Sequence, residues 1–327
     1  MKLGIIGTGL IVQEFLPSLL KEEGLEINAL LSTPRSLEAA KKMAEDAGIA
    51  LCTDSFEEFI ASDIDTVYIA VPNFMHYSYS LQALEHKKNV IVEKPACSNY
   101  KEASKMAEAA KESGCFLFEA ITTLHLGNYK KIREWLPRIG TIKLAQSQYS
   151  QYSRRYDAFR NGEVLPAFDP AKAGGAMMDL NLYNLHFILG LFGKPQNGEY
   201  YANIERGIDT SGIAVLDYGS FKALCIAAKD SKGFCGTVIQ GTDGVIRTEL
   251  AGNLIGKVTL ELNDGTVEEY DDGLWKQRVV AEFRDFIQAV NTNDLAYRDE
   301  MIQKTLDVCE VQTELRTKAG IIFPMDN

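Results

Sequence analysis

NVIVEKP, residues Asn89–Pro95, is the stretch from which the fold of this chain can be worked out. Residues 90–93 are typical of the end of a buried parallel strand, because β-branched apolar residues dominate without polar alternation. Pro95 cannot simply continue a strand or a helix, so the strand stops beside Lys94. Ligands bind outside the carboxyl ends of strands in open parallel sheets, where a lysine can hydrogen-bond a substrate oxygen. A surface Lys-Pro turn is the alternative for these three residues taken alone.

A glycine turn after the first predicted strand, Lys2–Ile6, indicates a dinucleotide site. The first glycine permits a tight turn, and the second lets the backbone approach a pyrophosphate at the start of a helix expected to run to about Glu23. Val12 replaces the third glycine of the GxGxxG pattern, so the motif is incomplete. Its position between a strand and a helix still supports cofactor binding. The predicted cofactor-binding residues of this turn are Gly7, Thr8, Gly9, Leu10 and Ile11.

The end of the second predicted strand, Glu26–Leu31, bears on the choice of cofactor. An acidic residue at this position holds the ribose 2′-hydroxyl in dinucleotide folds that prefer NAD. Here Ser32 and Thr33 are uncharged and Arg35 lies nearby, which suits a 2′-phosphate. NADP is therefore favoured over NAD, with these three residues on the ribose side. Arg35 could instead merely open the next helix, Ser36–Ala47, which keeps NAD open.

Strands and helices continue to alternate up to about residue 122. A strand over 66–72 and a helix over 73–86 precede the NVIVEKP strand. Pro72, Asn73 and His76 should therefore lie at a carboxyl edge of the sheet, within reach of the cofactor, and Glu93 and Lys94 should lie at the same edge. His76 could equally be a capping or solvated histidine. The repeated units predict an α/β fold: a dinucleotide-binding Rossmann domain over residues 1–122, with a doubly wound parallel sheet.

The pattern of alternating strands and helices ends after Thr123, where long segments such as 140–152 and 220–228 favour β-structure. Asp-Gly pairs at 243–244 and 264–265 favour antiparallel hairpins. Two helices near 279–292 and 299–318 should close the chain. A second, α+β domain over residues 123–327, with a large and mostly antiparallel sheet, is the expected outcome.

A pair of glycines leads into a strongly apolar helix predicted over residues 174–187. Asp179, Tyr183 and His186 are spaced i, i+4 and i+7, so a regular α-helix presents them on one face. The glycines allow this end of the helix to approach another element closely, as a cleft would require. The alternative is a satisfied structural network, because buried polar side chains need partners. We assign His186 to such a structural role.

These motifs together resemble the glucose–fructose oxidoreductase / inositol dehydrogenase (Gfo/Idh/MocA) family. The motifs that carry the resemblance are Glu93-Lys94-Pro95, the Gly7/Gly9 turn, Pro72-Asn73 with His76, and Gly174-Gly175-Ala176 with Asp179. They follow one another in the family's order over the whole chain. Many members carry histidine four residues after the aspartate, whereas this chain has Tyr183. That change, with Glu119-Ala120, resembles the branch that contains dihydrodiol dehydrogenases.

The resemblance implies hydride transfer between a nicotinamide and a secondary alcohol or carbonyl of a sugar, polyol or small diol. It implies that Lys94 binds the reacting oxygen and that the peptide before Pro95 can be cis. Proton exchange then falls to Tyr183, because a nearby cation lowers the pKa of a phenol. Asp179 would orient Lys94, Tyr183 or a substrate hydroxyl. The resemblance also implies a homodimer or higher oligomer assembled through the second sheet, which favours an interface role over pocket lining for the tyrosine-rich stretch 149–156.

Composition argues against several other classes of protein. A net charge of −11 and a pI of about 5.0 argue against nucleic acid and anionic membranes as partners. No segment is apolar for long enough to cross a bilayer. Six scattered cysteines without CxxC spacing suggest reduced thiols and a cytoplasmic location. The four histidines show no ligand spacing, so no metal site is predicted.

Two rival hypotheses accompany the oxidoreductase prediction. A nucleotide-sensing regulator could keep this fold without performing chemistry. A basic interaction patch or a degraded Glu-Lys-Pro triplet would favour that hypothesis, and neither is visible in the sequence. Alternatively, a different two-domain reductase could share the glycine turn while its catalytic lysine lies elsewhere.

Overall fold

The computed structural model describes all of residues 1–327 and divides into two compact units. None of its helices combines the length and the apolar composition that crossing a membrane requires. The first unit consists of Met1–Cys97, Lys101–Ala120 and Val279–Thr305. The second consists of Ser98–Tyr100, Ile121–Arg278 and Leu306–Asn327. Each unit is therefore assembled from three separate stretches of sequence.

The chain forms β-strands β1 to β14 and α-helices α1 to α10, joined by turns and short 3-10 segments. The strands are β1 (Lys2–Ile6), β2 (Glu26–Leu31), β3 (Leu51–Thr53), β4 (Thr66–Ile69), β5 (Asn89–Glu93), β6 (Leu117–Ala120), β7 (Ile142–Ser150), β8 (Asn197–Glu205), β9 (Ile208–Asp217), β10 (Lys222–Ala228), β11 (Cys235–Gly241), β12 (Gly244–Thr248), β13 (Val258–Leu262) and β14 (Val267–Tyr270). The helices are α1 (Leu10–Leu19), α2 (Leu37–Ala47), α3 (Phe56–Ile60), α4 (His76–Glu85), α5 (Tyr100–Ser113), α6 (Gly127–Trp135), α7 (Arg154–Arg160), α8 (Leu182–Phe192), α9 (Arg278–Thr292) and α10 (Leu295–Lys318).

Several helix boundaries differ from the sequence prediction, among them those of α1 and α10. Helix α1 ends at Leu19 and not near Glu23, and α10 begins at Leu295, ahead of the expected start at 299. The earlier start of α10 has a local cause, because the Tyr297 backbone N–H donates to Asp294 Oδ1 at 3.0 Å. A carboxylate that accepts such a bond satisfies one of the unpaired N–H groups at a helix start.

The first unit contains the predicted parallel sheet, with strand order β3-β2-β1-β4-β5-β6. Every neighbouring pair of these strands is parallel. Val90, Ile91 and Val92 of β5 are fully buried, as expected for a parallel strand covered on both faces. The doubly wound Rossmann-type sheet is thereby confirmed, and its strand order reverses between β1 and β4.

Helices from the far end of the sequence complete the core of the first unit. Phe118 of β6 stacks on Phe286 of α9 with ring centroids 4.6 Å apart. Tyr68 of β4 meets Phe283 of α9 edge-on at 5.3 Å. Such aromatic pairs each contribute about 0.5–1.5 kcal/mol beyond the area that they bury. The parallel sheet is therefore closed by residues that lie more than 150 positions away in the sequence.

The second unit is built on an eight-stranded sheet with the order β14-β13-β12-β11-β7-β10-β9-β8. Only β7 and β10 pair in parallel, so the prediction of a large and mostly antiparallel sheet is confirmed. Alternate residues of β7 face opposite ways: Ala145 and Ser147 are buried, whereas Leu144 is half exposed. The Ser147 hydroxyl donates to Asn184 Oδ1 at 2.9 Å, so α8 covers the buried face.

Candidate active site

The predicted cofactor residues of the first unit all lie at one edge of its sheet. They follow the carboxyl ends of β1, β2, β4 and β5, which are consecutive neighbours in the strand order. Parallel strands direct their carboxyl ends to the same edge, and the reversal of strand order between β1 and β4 opens a crevice there. The fold therefore brings Gly7–Ile11, Ser32–Arg35, Pro72–His76 and Glu93–Lys94 to one ligand-binding edge.

The glycine turn between β1 and α1 has the features of a phosphate cradle. Gly7 has a φ of 109°, and a Cβ atom at this position would lie 2.3 Å from Ala70 O, so only glycine fits. A Cβ at Gly9 would meet no atom within 4 Å, so the protein itself leaves that side of the turn open. Gly9 precedes α1 without any side-chain cap on the helix N–H groups. Uncapped N–H groups at a helix start suit the pyrophosphate of a dinucleotide.

Small hydroxyl side chains and one cation mark the end of β2. Ser32 is buried, and its hydroxyl lies 2.8 Å from the hydroxyl of Ser36. Thr33 shares the same Ser36 hydroxyl at 2.8 Å. Arg35 is exposed in the short 3-10 turn Pro34–Ser36. Residues 32–36 include no carboxylate, so this segment offers positive charge and hydroxyl groups to a ligand.

The backbone around Lys94 is held on both sides by carboxyl groups. The Tyr68 hydroxyl donates a short hydrogen bond to Glu93 Oε1, and the Ala96 N–H donates to Glu119 Oε1 at 2.9 Å. Glu119 is buried and accepts a further bond from Thr305 Oγ1 at 3.2 Å. The Lys94-Pro95 peptide is cis, as the family resemblance allowed. Lys94 is thus carried by a fixed turn at the sheet edge, and not by a mobile surface loop.

The alternative that His76 is a solvated histidine is wrong. Its side chain is buried at 1% exposure, with Nδ1 2.7 Å from Pro95 O and Nε2 2.8 Å from Val71 O. Burial lowers the pKa of His76, although two carbonyl oxygens favour the protonated ring. Since its two nitrogens lie beside carbonyl oxygens that follow β4 and β5, the His76 ring packs between the ends of these strands. A contribution of His76 to cofactor binding would therefore be indirect.

The prediction of one regular helix over residues 174–187 is wrong at its start. Residues Met177–Asn181 form a π-helical turn, and α8 follows it. Because a π-turn is wider than an α-helical turn, Asp179 and Tyr183 do not stand one regular turn apart. Asp179 keeps 32% of its side chain exposed, Tyr183 keeps 9% of its surface, and His186 is buried. Single π-turns of this kind are frequent at functional sites.

Lys229 is a residue of this region that the sequence analysis missed. Its ammonium group lies 2.9 Å from Asp179 Oδ2, and the lysine side chain is only 2% exposed. The signal that could have found it is a lysine directly after an apolar strand, the pattern that singled out Lys94. No group of three or more His, Cys, Asp or Glu side chains is arranged to hold a metal ion.

A cavity of about 340 Å³ lies at the carboxyl end of β7, beside the Tyr183 region. Tyr149 and Tyr152 line it, together with polar groups that include Gln151 and Asn253. The Tyr149 ring lies 6.0 Å from the Tyr183 ring, at an interplanar angle of 51°. This placement favours pocket lining for the start of the tyrosine-rich stretch, whereas our sequence analysis had preferred a subunit interface.

Asp209 is a buried carboxylate beneath the π-turn. One of its oxygens accepts the Met177 N–H at 2.6 Å and the Tyr200 hydroxyl at 2.7 Å, while the other has no hydrogen-bond partner. A Cβ at Gly175 would lie 2.1 Å from that second oxygen, which explains the glycine. Burial raises the pKa of Asp209 to about 6.

Replacement of Asp209 by asparagine should change how stability depends on pH. Because the folded-state pKa is raised, native protein holds a proton that unfolded protein has released between about pH 4 and pH 6. The free energy of unfolding therefore falls as pH rises through this window in the wild type. Asp209→Asn keeps an oxygen acceptor and should make that fall smaller, as measured by urea unfolding at several pH values.

Asp217→Asn is the matched control on the same strand. The pKa of Asp217 is lowered by its hydrogen bond with Lys222, so it titrates below this window and its replacement should leave the slope unchanged. Equal slopes for wild type and Asp209→Asn would contradict the assignment of this titration to Asp209.

Comparison with known proteins agrees with this geometry. The GFO_IDH_MocA family model, described as "Oxidoreductase family, NAD-binding Rossmann fold", matches residues 1–121. The chain is 34% identical to scyllo-inositol 2-dehydrogenase (NADP(+)) IolU of Bacillus subtilis, over 100% of this chain and 99% of that protein. It is 26% identical to trans-1,2-dihydrobenzene-1,2-diol dehydrogenase of Oryctolagus cuniculus, over 98% and 99% of the two chains.

A solved structure extends the likeness of fold to both units. The 3-ketoreductase KijD10 of Actinomadura kijaniata, in complex with NADP and TDP-benzene, matches with a TM-score of 0.81. The match covers 97% of each chain at 20% sequence identity, so it concerns the fold alone. The 34% identity to IolU over the full length, together with the family match, shows that this chain is an NAD(P)-dependent dehydrogenase or reductase. It belongs to the Gfo/Idh/MocA family of oxidoreductases.

Proposed function

We propose that this oxidoreductase uses NADP and interconverts a secondary alcohol and a carbonyl on a sugar, polyol or small diol. The proposed catalytic residues are Lys94, Asp179 and Tyr183. The observation that carries the proposal is Lys94 itself, on a fixed turn at the same carboxyl edge of the sheet as the cradle after β1. The relatives support this substrate class, because their names include an inositol dehydrogenase and dihydrodiol dehydrogenases.

The proposed mechanism divides the work among three side chains. When bound, the nicotinamide ring supplies or accepts the hydride. The Lys94 ammonium binds the reacting oxygen and stabilises its alkoxide character, since charge develops on that atom. Tyr183 exchanges the proton with the same oxygen, donating it as a phenol in reduction and accepting it as a phenolate in oxidation. Asp179 accepts a hydrogen bond from a substrate hydroxyl and so orients the substrate.

We assign cofactor binding to residues 1–122 and substrate binding to residues 123–327. Gly7, Thr8, Gly9, Leu10 and Ile11 hold the pyrophosphate, and the residues after β2 hold the ribose. Pro72, Asn73, His76 and Glu93 shape the edge at which the nicotinamide lies. The cavity lined by Tyr149 and Tyr152 is the proposed substrate pocket, since aromatic faces with nearby amide groups suit a hydroxylated ring.

The protein is further proposed to work as a homodimer or higher oligomer in the cytoplasm. Leu144, Ile213 and Tyr201 lie on the face of the second sheet opposite α8 and are 50%, 41% and 67% exposed. An apolar face of this kind suits contact with a second copy, and a monomeric mass in sedimentation velocity would contradict it. The free thiols of Cys52, Cys115, Cys225 and Cys235 fit a reducing compartment.

Titration with both reduced cofactors tests the preference for NADP. Wild-type protein should bind NADPH more tightly than NADH, because Arg35 is exposed beside the ribose position and no carboxylate stands there. Arg35→Ala should weaken NADPH binding by about tenfold or more, as expected for one lost charge-assisted hydrogen bond, and leave NADH nearly unchanged. Fluorescence titration measures both affinities.

Lys41→Ala provides the control, since Lys41 is an exposed cation on α2 that pairs only with Glu38. It should leave both affinities unchanged. Tighter binding of NADH by the wild type, or an equal loss of both cofactors in Arg35→Ala, would refute the NADP assignment. A panel of inositols, aldoses and vicinal diols with the preferred cofactor then tests the substrate class.

A further inference from the structure

The buried ion pair between Lys229 and Asp179 is the feature that the mechanism above leaves unused. Lys229 follows β10 and is almost completely buried, whereas a third of the Asp179 side chain is exposed. A buried ammonium group is costly unless it is paired and hydrogen-bonded. Lys229 meets this condition with Asp179 Oδ2 at 2.9 Å, Ala167 O at 2.8 Å and the Phe168 ring at 4.6 Å.

The backbone of the π-turn is fixed by contacts that do not involve Lys229. Asn181 Nδ2 donates to Cys225 O at 3.1 Å, and Asn184 Nδ2 donates to Ile226 O at 2.9 Å, both on β10. The Met177 N–H is held by Asp209. These three contacts hold the backbone of the turn without Lys229. The specific contact of the Lys229 ammonium with the turn is therefore the Asp179 carboxylate.

We propose that Lys229 is a positioning residue, whose buried ammonium holds the Asp179 carboxylate in the orientation that binds a substrate hydroxyl. This inference rests on the proposed function, in which Asp179 orients the substrate. Lys229 is the buried partner of the ion pair, and Asp179 is the partly exposed one. The lysine can therefore hold the carboxylate while part of it remains exposed. Small displacements of an orienting group can reduce turnover by about a hundredfold.

The test compares Lys229→Met, Asp179→Asn and the double variant by steady-state kinetics. Lys229→Met should lower kcat/KM about tenfold to a hundredfold while NADPH affinity, measured by fluorescence, stays at the wild-type value. In the Asp179→Asn background, Lys229→Met should cause no further loss, because Lys229 acts through Asp179. Lys222→Met on β10 is the matched control, since Lys222 forms an exposed ion pair with Asp217 and should not affect turnover.

The outcomes separate this inference from the proposed function. If Asp179→Asn keeps wild-type activity, the proposed role of Asp179 fails, and the inference fails with it. If Asp179→Asn is impaired but a folded Lys229→Met is not, or if the two losses add, only the inference is overturned. Should Lys229→Met unfold at the assay temperature, Lys229→Gln retains a donor for Ala167 O, and the same comparison applies. Failure of both variants to fold would show a merely structural role and would also overturn the proposal.

Discussion

Lys94→Ala should lower kcat by at least about 10²–10³-fold with the preferred cofactor and substrate. The expected size follows from the loss of a single preorganised donor to a developing oxyanion, which typically costs that much. Affinity for the reduced cofactor should persist within a few-fold, because the Gly7–Ile11 turn and the Ser32–Arg35 segment lie at other strand ends. Steady-state kinetics and fluorescence titration of the same preparation measure the two quantities separately.

The surroundings of Lys94 make this experiment interpretable. The hydrogen bonds from Tyr68 to Glu93 and from the Ala96 N–H to Glu119 do not involve the lysine side chain, so the turn should survive the substitution. Lys105→Ala, at an exposed position on α5, is the control for the loss of a lysine from the same unit. Undiminished turnover in Lys94→Ala would refute the role assigned to it and would favour a reductase with its catalytic lysine elsewhere.

Tyr183→Phe is expected to lower kcat by about 10²–10⁴-fold, the usual contribution of a positioned general acid or base. KM should change little, because the substitution removes only the hydroxyl group. The ring contact with Tyr149 is kept, so the melting temperature should stay within a few degrees of the wild type. The pH profile of kcat/KM should also lose the limb that reports ionisation of the acid–base group.

Tyr270→Phe is the control for loss of a phenol in the second unit, since Tyr270 lies on the edge strand β14 and takes no part in the proposed site. It should leave both the rate and the pH profile unchanged. A Tyr183→Phe protein that works within a few-fold of the wild type would assign the proton to another group.

The sequence was sufficient for the fold because local patterns agreed with the global arrangement. The apolar run ending at Glu93 indicated a buried parallel strand, and the alternation over 140–152 indicated β7. It was not sufficient for the core of the first unit. Nothing local to Phe283 or Phe286 reveals that these rings pack on Tyr68 and Phe118, because such pairing is decided by tertiary structure.

The candidate-site residues that follow strand ends were predictable from the sequence. Those whose role depends on burial by distant residues were less so. Lys94 and the Gly7–Gly9 turn follow from the strand pattern. His76 was ambiguous in the sequence, because its two carbonyl partners come from residues 71 and 95. The π-turn at 177–181 escaped prediction because its hydrogen-bond partners, Asp209 and a β10 carbonyl group, lie far away in the sequence. Lys229 was missed because a lysine beside an aspartate, as in Lys229-Asp230, normally indicates a solvated turn.

The interrupted first unit has a consequence for how the protein is made. A ribosome that has synthesised residues 1–122 has produced every strand of the parallel sheet but neither of the α9 phenylalanine rings that close it. Until nearly all of the chain has emerged, Tyr68 and Phe118 have no partner from α9 to cover them. Newly made protein must therefore keep this apolar surface away from other chains until synthesis is almost finished.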